Sequence, residues 1–180
     1  WKQTGANGEI SELLFDPLGM VIAMTMYGSE NSVDKGDLPL SSYTAPSSPT
    51  LPGILADPAD FVQDATAYFF YDLTVKPAVS LSVQREIHYR DLGQGQSTPY
   101  QFALTFTDGF GRIFQTKKKV EDGLAWKKTG STWEETASTN RWLTSGRTVY
   151  SNKQLPVKQY EPFYADGYAL ITEEELTEFG

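Results

Sequence analysis

Hydrophobic and polar positions alternate along this chain in short runs separated by turn residues. Residues 9–15 alternate roughly, Asp16, Pro17, Leu18 and Gly19 turn, and residues 20–27 return, closed by Tyr27. With the earlier turn signal Ala6, Asn7, Gly8, residues 1–28 read as a pair of hairpins. Residues 66–73, TAYFFYDL, form an unbroken aromatic run that predicts a strand buried on both faces. Over 78–90, Val79, Leu81 and Val83 alternate with Ser80, Ser82 and Gln84, the pattern of a one-sided strand. A turn at 91–96 leads to a strand at 101–107, a turn at 108–111 and a strand over 112–120. Thr148, Val149 and Tyr150 then alternate, Ser151, Asn152, Lys153 and Gln154 turn, and a strand runs from Leu155 to Tyr160.

Helical signals are few. Asp57 as cap, Pro58 at the first position, and Phe61 with Ala65 on one face predict a helix over 57–65. Thr172 with Glu175 three residues on has capping-box spacing and starts a helix running to Phe179. Residues 29–52 read as a long Ser/Pro-rich loop, and residues 122–140 as a polar loop holding Trp126 and Trp133. The expected fold is mainly β, built of antiparallel strand-turn-strand repeats in a curved sheet, with one or two short helices.

The hairpins share a grammar: an aromatic residue, a polar turn with Asp or Asn, a glycine and an aliphatic strand. Phe15, Asp16, Gly19 and Tyr27 mark one unit; Phe106, Asp108, Gly111 and Arg112 a second; Gly146, Arg147, Tyr150 and Tyr160 a third. Repeated units of this kind favour an extended array over a compact enzyme.

Composition narrows the classes. With a net charge of −8, nucleic-acid binding is not expected: the dense basic cluster Lys117, Lys118, Lys119 is followed at once by Glu121 and Asp122. The absence of cysteine removes disulfides, zinc-thiolate sites and cysteine nucleophiles. No apolar run approaches the roughly 18 residues of a membrane-spanning helix. A chain that starts at Trp1 and stops in an acidic, helix-like tail reads as a piece of a larger protein.

Candidate chemistry is thin. His88, the single histidine, stands two residues from Glu86 on a predicted strand face, which suggests a base and its orienter; no nucleophile accompanies it, and it reads as a polar strand residue. Asp57, Asp60 and Asp64 cluster as an oxygen-only calcium site would, but capping and solvation account for them. Glu173, Glu174 and Glu175 resemble the paired glutamates of ADP-ribosyltransferases but sit on the predicted acidic helix. The stretch from Gly109 to Arg112 is too short for a phosphate loop. Arg112 and Arg147 are expected to lie across aromatic rings or to pair with carboxylates. Phe15, Tyr27, Phe106, Phe114, Tyr150, Tyr160 and Phe163 are expected in the core, with a sugar-binding stripe as the other use of such rings. Trp126 and Trp133 are the candidates for a ligand or protein contact. No cofactor, metal or enzymatic activity is expected.

Five stretches carry a resemblance: ISELLFDPLGMVIAMTMYG at 10–28, ADPADFVQDATAYFFYDL at 56–73, REIHYRDLGQGQS at 85–97, FTDGFGRIFQTKKKVEDG at 106–123 and RWLTSGRTVYSNKQLPVKQYEPFYAD at 141–166. In this order they resemble the B component of bacterial insecticidal Tc toxin complexes, within the Rhs/YD-repeat superfamily. The YD units are degenerate: Phe15 with Asp16 and Phe106 with Thr107 replace Tyr-Asp, and Gln154 stands where a glycine is expected.

The resemblance implies a segment of a hollow β shell. In that family the B and C components build the shell around the unfolded toxic end of C, and the A component forms the pore. It implies as partners the rest of B and the C component, with A indirectly, and a secreted or cell-surface-associated complex. It implies no protease role for this segment. A carbohydrate- or cell-surface-binding β module is the alternative reading.

Overall fold

The computed structural model describes residues 1–108, 111–145 and 147–177. The chain divides into two compact units: residues 1–70 with 81–102, and residues 71–80 with 103–180.

In the first unit, β1 (Lys2–Thr4), β2 (Ile10–Phe15) and β3 (Val21–Glu30) form the predicted hairpin pair. β3 pairs next with β4 (Val33–Gly36) and with β5 (Ala67–Asp72). The strand order continues through β6 (Ala78–Arg85) to β7 (Tyr100–Thr107). Two short helices, α1 (Leu51–Ala56) and α2 (Pro58–Val62), bury Ile54 and Val62 completely. The core adds Ala23, Ala67, Tyr68, Leu81, Val83 and Phe102. Each large apolar side chain so enclosed contributes roughly 1.5–3 kcal/mol. The one-sided pattern of β6 holds: Val79, Leu81 and Val83 are buried while Ser80, Ser82 and Gln84 are not.

In the second unit the order is β7, β8 (Ile113–Lys119), β11 (Arg141–Thr144), β14 (Phe163–Asp166), β9 (Gly123–Thr129) and β10 (Thr132–Ser138). β14 meets β9 in parallel, with Ala165 opposite Trp126, so the sheet is mixed rather than purely antiparallel. The core holds Leu104, Phe106, Ala125, Trp142, Ala165, Ile171 and Leu176. The strand order ends at β1 in the first unit and at β10 in the second, so neither ladder closes on itself. β12 (Thr148–Tyr150) and β13 (Pro156–Gln159) form a separate two-stranded sheet. Helix α3 (Glu173–Leu176) opens with the predicted capping box between Thr172 and Glu175. Its expected end at Phe179 lies outside the described residues. Among the described residues no helix is long and apolar enough to cross a membrane.

Three sequence expectations are corrected. Residues 29–52 are a loop only in part: β3 runs to Glu30, Asn31 and Ser32 turn with φ of 51° and 63°, and β4 follows, while residues 37–50 hold no helix or strand beyond a 3-10 turn at Leu40–Ser42 before α1 starts. Positive φ at both central residues is the tight hairpin geometry that suits twisted strands, and asparagine tolerates it. The helix expected over 57–65 is the shorter α2, with Asp57 at its N-cap position and Pro58 first as expected, although Asp57 makes no side-chain capping bond; the unexpected helix is α1 before it, capped by Thr50, whose hydroxyl accepts the Gly53 amide. Residues 122–140 are the β9–β10 hairpin. Lys127 stands opposite Glu134 and Lys128 opposite Trp133, so cross-strand pairs hold strands that their polar side chains concealed.

Candidate functional site

Three hairpins share a turn, which in the first two holds the repeat markers Asp16, Gly19, Asp108, Gly111 and Arg112 and in the third falls at residues 151–155, beside the marker Tyr150. Asp16 donates its amide to the Met20 carbonyl at 2.9 Å and accepts the Gly19 amide at 3.0 Å. Asp108 donates to Arg112 and accepts from Gly111, both at 3.0 Å; Ser151 donates to Leu155 and accepts from Gln154, both at 2.8 Å. The residue before the return strand has positive φ each time: 82° at Gly19, 77° at Gly111 and 62° at Gln154. The first side chain also takes the amide four residues on: Asp16 from Met20 at 2.8 Å, Asp108 from Arg112 at 3.0 Å, Ser151 from Leu155 at 3.3 Å. Register shifts sit beside all three turns, between Leu14 and Phe15, Phe106 and Thr107, and Val149 and Tyr150. This is a three-residue hairpin loop with a bulge, whose last residue must be left-handed. Glycine takes that conformation freely and Gln154 takes it at a cost.

The other markers vary in burial. Phe106 is buried and Tyr27, Tyr150 and Tyr160 are half-buried, but Phe15 is 43% exposed, against the expectation of a core ring. Tyr27 donates its hydroxyl to Glu12 at 2.7 Å. Arg112 forks onto Asp108 at 2.6 and 2.7 Å and lies 4.4 Å from the Tyr150 ring centroid; Arg147 lies 5.1 Å from that of Phe114. Gly146 lies outside the described residues, as do Gly109 and Phe110. Trp126 and Trp133 are on β9 and β10 rather than in a loop, and Trp133 packs against Ala165, Ile171 and Leu176. The large exposed rings among the described residues, Trp1, Phe15, Tyr89 and Tyr164, belong to four different segments, and Arg141 lies 3.4 Å from the Tyr164 ring centroid.

The polar centre of the first unit was not singled out from sequence. Asp37 is fully buried just after β4. Its Oδ1 accepts from Arg85 Nη1 at 3.0 Å and from the Tyr89 amide at 2.7 Å. Its Oδ2 accepts from the Thr66 hydroxyl and lies 2.8 Å from His88 Nδ1. Burial alone pushes this carboxyl up; the Thr66, Tyr89, His88 and Arg85 hydrogen bonds outweigh it and hold the carboxyl below its ordinary value. Arg85 also reaches the Gln63 carbonyl at 3.1 Å, and Arg90 reaches the carbonyls of Lys35 and Asp37. His88 is therefore not a strand residue. β6 ends at Arg85, and His88 precedes a 3-10 turn at Tyr89–Asp91. An aspartate orienting an imidazole is part of a general-base arrangement. Here both oxygens already serve segments of the chain, so the cluster fastens residues after β4 to the ends of β5 and β6.

The second unit has a different polar centre. Gln115 and Lys117, two apart on β8, are both buried. The Gln115 side chain donates to the Ile171 carbonyl at 3.3 Å and accepts the Ile171 amide at 3.0 Å. Lys117 Nζ donates to the Gly167 carbonyl at 3.1 Å. Burial pushes the Lys117 ammonium down to about 8, against a weaker upward pull from Glu175. The Thr144 hydroxyl, opposite Lys117 across the ladder, is buried without a hydrogen-bond partner. Glu175 completes the capping box and holds Lys128 at 3.0 Å, which gives this member of the acidic run a structural role. An open groove of about 530 Å³ is lined in part by Phe114, Arg147, Leu170, Glu173 and Glu174. No grouping of three or more His, Asp or Glu side chains among the described residues is placed to hold a metal ion.

An open mixed sheet of repeated bulged hairpins, with loops tied down by buried polar groups, is the fold of a stretch of the Tc toxin B–C assemblies. The chain superposes on the crystal structure of TcdB2-TccC3 with a TM-score of 0.80 over 97% of its length, at 21% identity. It matches TcdB2-TccC3 without its hypervariable C-terminal region at 0.80 over 98%, with 18% identity. It matches the Photorhabdus luminescens Tc holotoxin pore at 0.79 over 99%, with 17% identity. The chain spans 8% of the first of these chains and 11% of the other two. At these identities the likeness is one of fold. No family model and no curated protein sequence matches.

Proposed function

We propose that this chain is a wall segment of the B-component part of a Tc-type B–C shell. In this reading the shell encloses the unfolded toxic end of the C component until delivery through the A-component pore. The observation that carries the reading is the match in fold along 97% of the chain to TcdB2-TccC3. The repeated hairpin supports it, because one loop geometry used three times is how a wall is extended without new design. The role is physical, with no catalytic step. Hydrogen-bonded strands satisfy the backbone, and an enclosed space keeps an unfolded cargo from proteases and from aggregation. The partners are the remainder of B and the C component, and the setting is a secreted toxin complex.

The test is protease protection. The complete polypeptide carrying this chain is co-expressed with its C component and treated with proteinase K. The reading predicts that the toxic end survives intact until the complex is denatured. Digestion of that end at the rate of the free polypeptide contradicts it.

A further inference from the structure

Residues 147–160 carry three basic side chains, Arg147, Lys153 and Lys158, and no acidic one, in a chain of net charge −8. They fold as the β12–β13 hairpin. β12 is half-buried along its length, but every residue of β13 is exposed, with Val157 at 63% and the preceding Leu155 at 61%. A two-stranded sheet is marginal in isolation, and an exposed aliphatic edge is a template for another strand.

The backbone sets the direction of that edge. The Tyr160 amide donates to the Arg147 carbonyl at 3.0 Å, and Lys158 stands opposite Val149. By the two-residue period of a strand, Tyr160 and Lys158 turn their backbone groups toward β12, and Val157 and Gln159 turn theirs away. The outer edge thus presents the N–H and C=O groups of Val157 and Gln159, while Leu155 bonds inward to Ser151 and Pro156 has no N–H; Lys153 and Lys158 flank this stretch, the Lys158 ammonium donating to the Tyr160 hydroxyl.

We propose that the outer edge of β13 docks a β-strand of a partner protein in which acidic and aliphatic residues alternate. Main-chain hydrogen bonds supply the register, aliphatic side chains cover Leu155 and Val157, and carboxylates meet Lys153 and Lys158. The inference stands on the hairpin alone and does not depend on the shell reading.

The test uses the 180-residue chain and a fluorescent eight-residue peptide of alternating Glu and Val, with a Lys/Val peptide as control. Anisotropy is read at low and at high salt. The Glu/Val peptide is expected to bind at least tenfold more tightly than the control and to lose tenfold or more in high salt. A tenfold loss is also expected for the double variant Lys153→Glu with Lys158→Glu. Val157→Pro, which removes an outward amide, is expected to weaken binding equally while leaving the melting temperature unchanged. The proposal is overturned by absence of binding, by equal binding of the Lys/Val peptide, or by binding that Val157→Pro leaves intact. It is also overturned by self-association of the chain that the double variant abolishes, or by preferential binding to phosphatidylserine vesicles.

Discussion

The two units fasten their loops with buried charges of opposite sign, and the two charges are treated differently. In the first unit the Asp37 carboxylate receives hydrogen bonds from Thr66, Arg85 and the Tyr89 amide and contacts His88, and its pKa falls despite burial. In the second unit the Lys117 ammonium has the Gly167 carbonyl, while the Thr144 hydroxyl opposite it is unpartnered, and burial drives its pKa down to about 8. A buried charge surrounded by donors stabilises the fold; one with a single acceptor costs stability, and its role is to hold a strap.

The largest expected effect is at Asp37. Asp37→Asn leaves the Arg85 guanidinium buried without its counter-charge, and should cost about 3–5 kcal/mol in chemical denaturation. The native group has a depressed pKa, so its contribution is full above the unfolded value near 3.8 and is lost as pH falls through the folded one. An Asp37→Asn chain as stable as the wild type at pH 7 breaks the contrast.

Lys117→Met should do the opposite. Between pH 8 and 10.5 the unfolded chain holds a proton that the folded chain has released, so wild-type stability rises with pH across that window. Below pH 8 the full penalty applies, on the order of 3 kcal/mol. Replacement by methionine removes that penalty and the Gly167 hydrogen bond together. It should gain about 2 kcal/mol at pH 7 and abolish the alkaline rise, as read from denaturation curves across the window.

Smaller effects compare the shared turn in each unit. Gly19→Ala, in the first unit, places a Cβ at φ 82° with no atom within 4 Å of it. The cost is conformational alone, about 1 kcal/mol. Gln154→Gly, in the second unit, relieves the same strain and should gain about 0.5 kcal/mol, both read as melting-temperature shifts. Equal and same-signed shifts would mean that the turns are not equivalent.

Strands with clean alternation were legible from sequence. Val79, Leu81 and Val83 fixed β6, and the Asp-to-Gly turns at 16–19 and 108–111 fixed two hairpins. β9 and β10 were hidden because Lys127, Lys128, Glu134 and Glu135 face solvent and dilute the period; Gly130 and Ser131 between two threonines were the missed turn signal. The Asp37 and Lys117 centres were illegible for another reason. Their partners are 29 to 52 residues away for Asp37 and 50 for Lys117, and no local spacing encodes such a meeting.

The most direct test of the shell-wall reading is single-particle imaging of the complete polypeptide bound to its C component. The account predicts that residues 1–180 lie in the wall of a hollow particle, with the free edges of β1 and β10 hydrogen-bonded to strands of the surrounding wall. A solid particle, or this chain as a pendant domain outside a shell with both edges open to solvent, would contradict it.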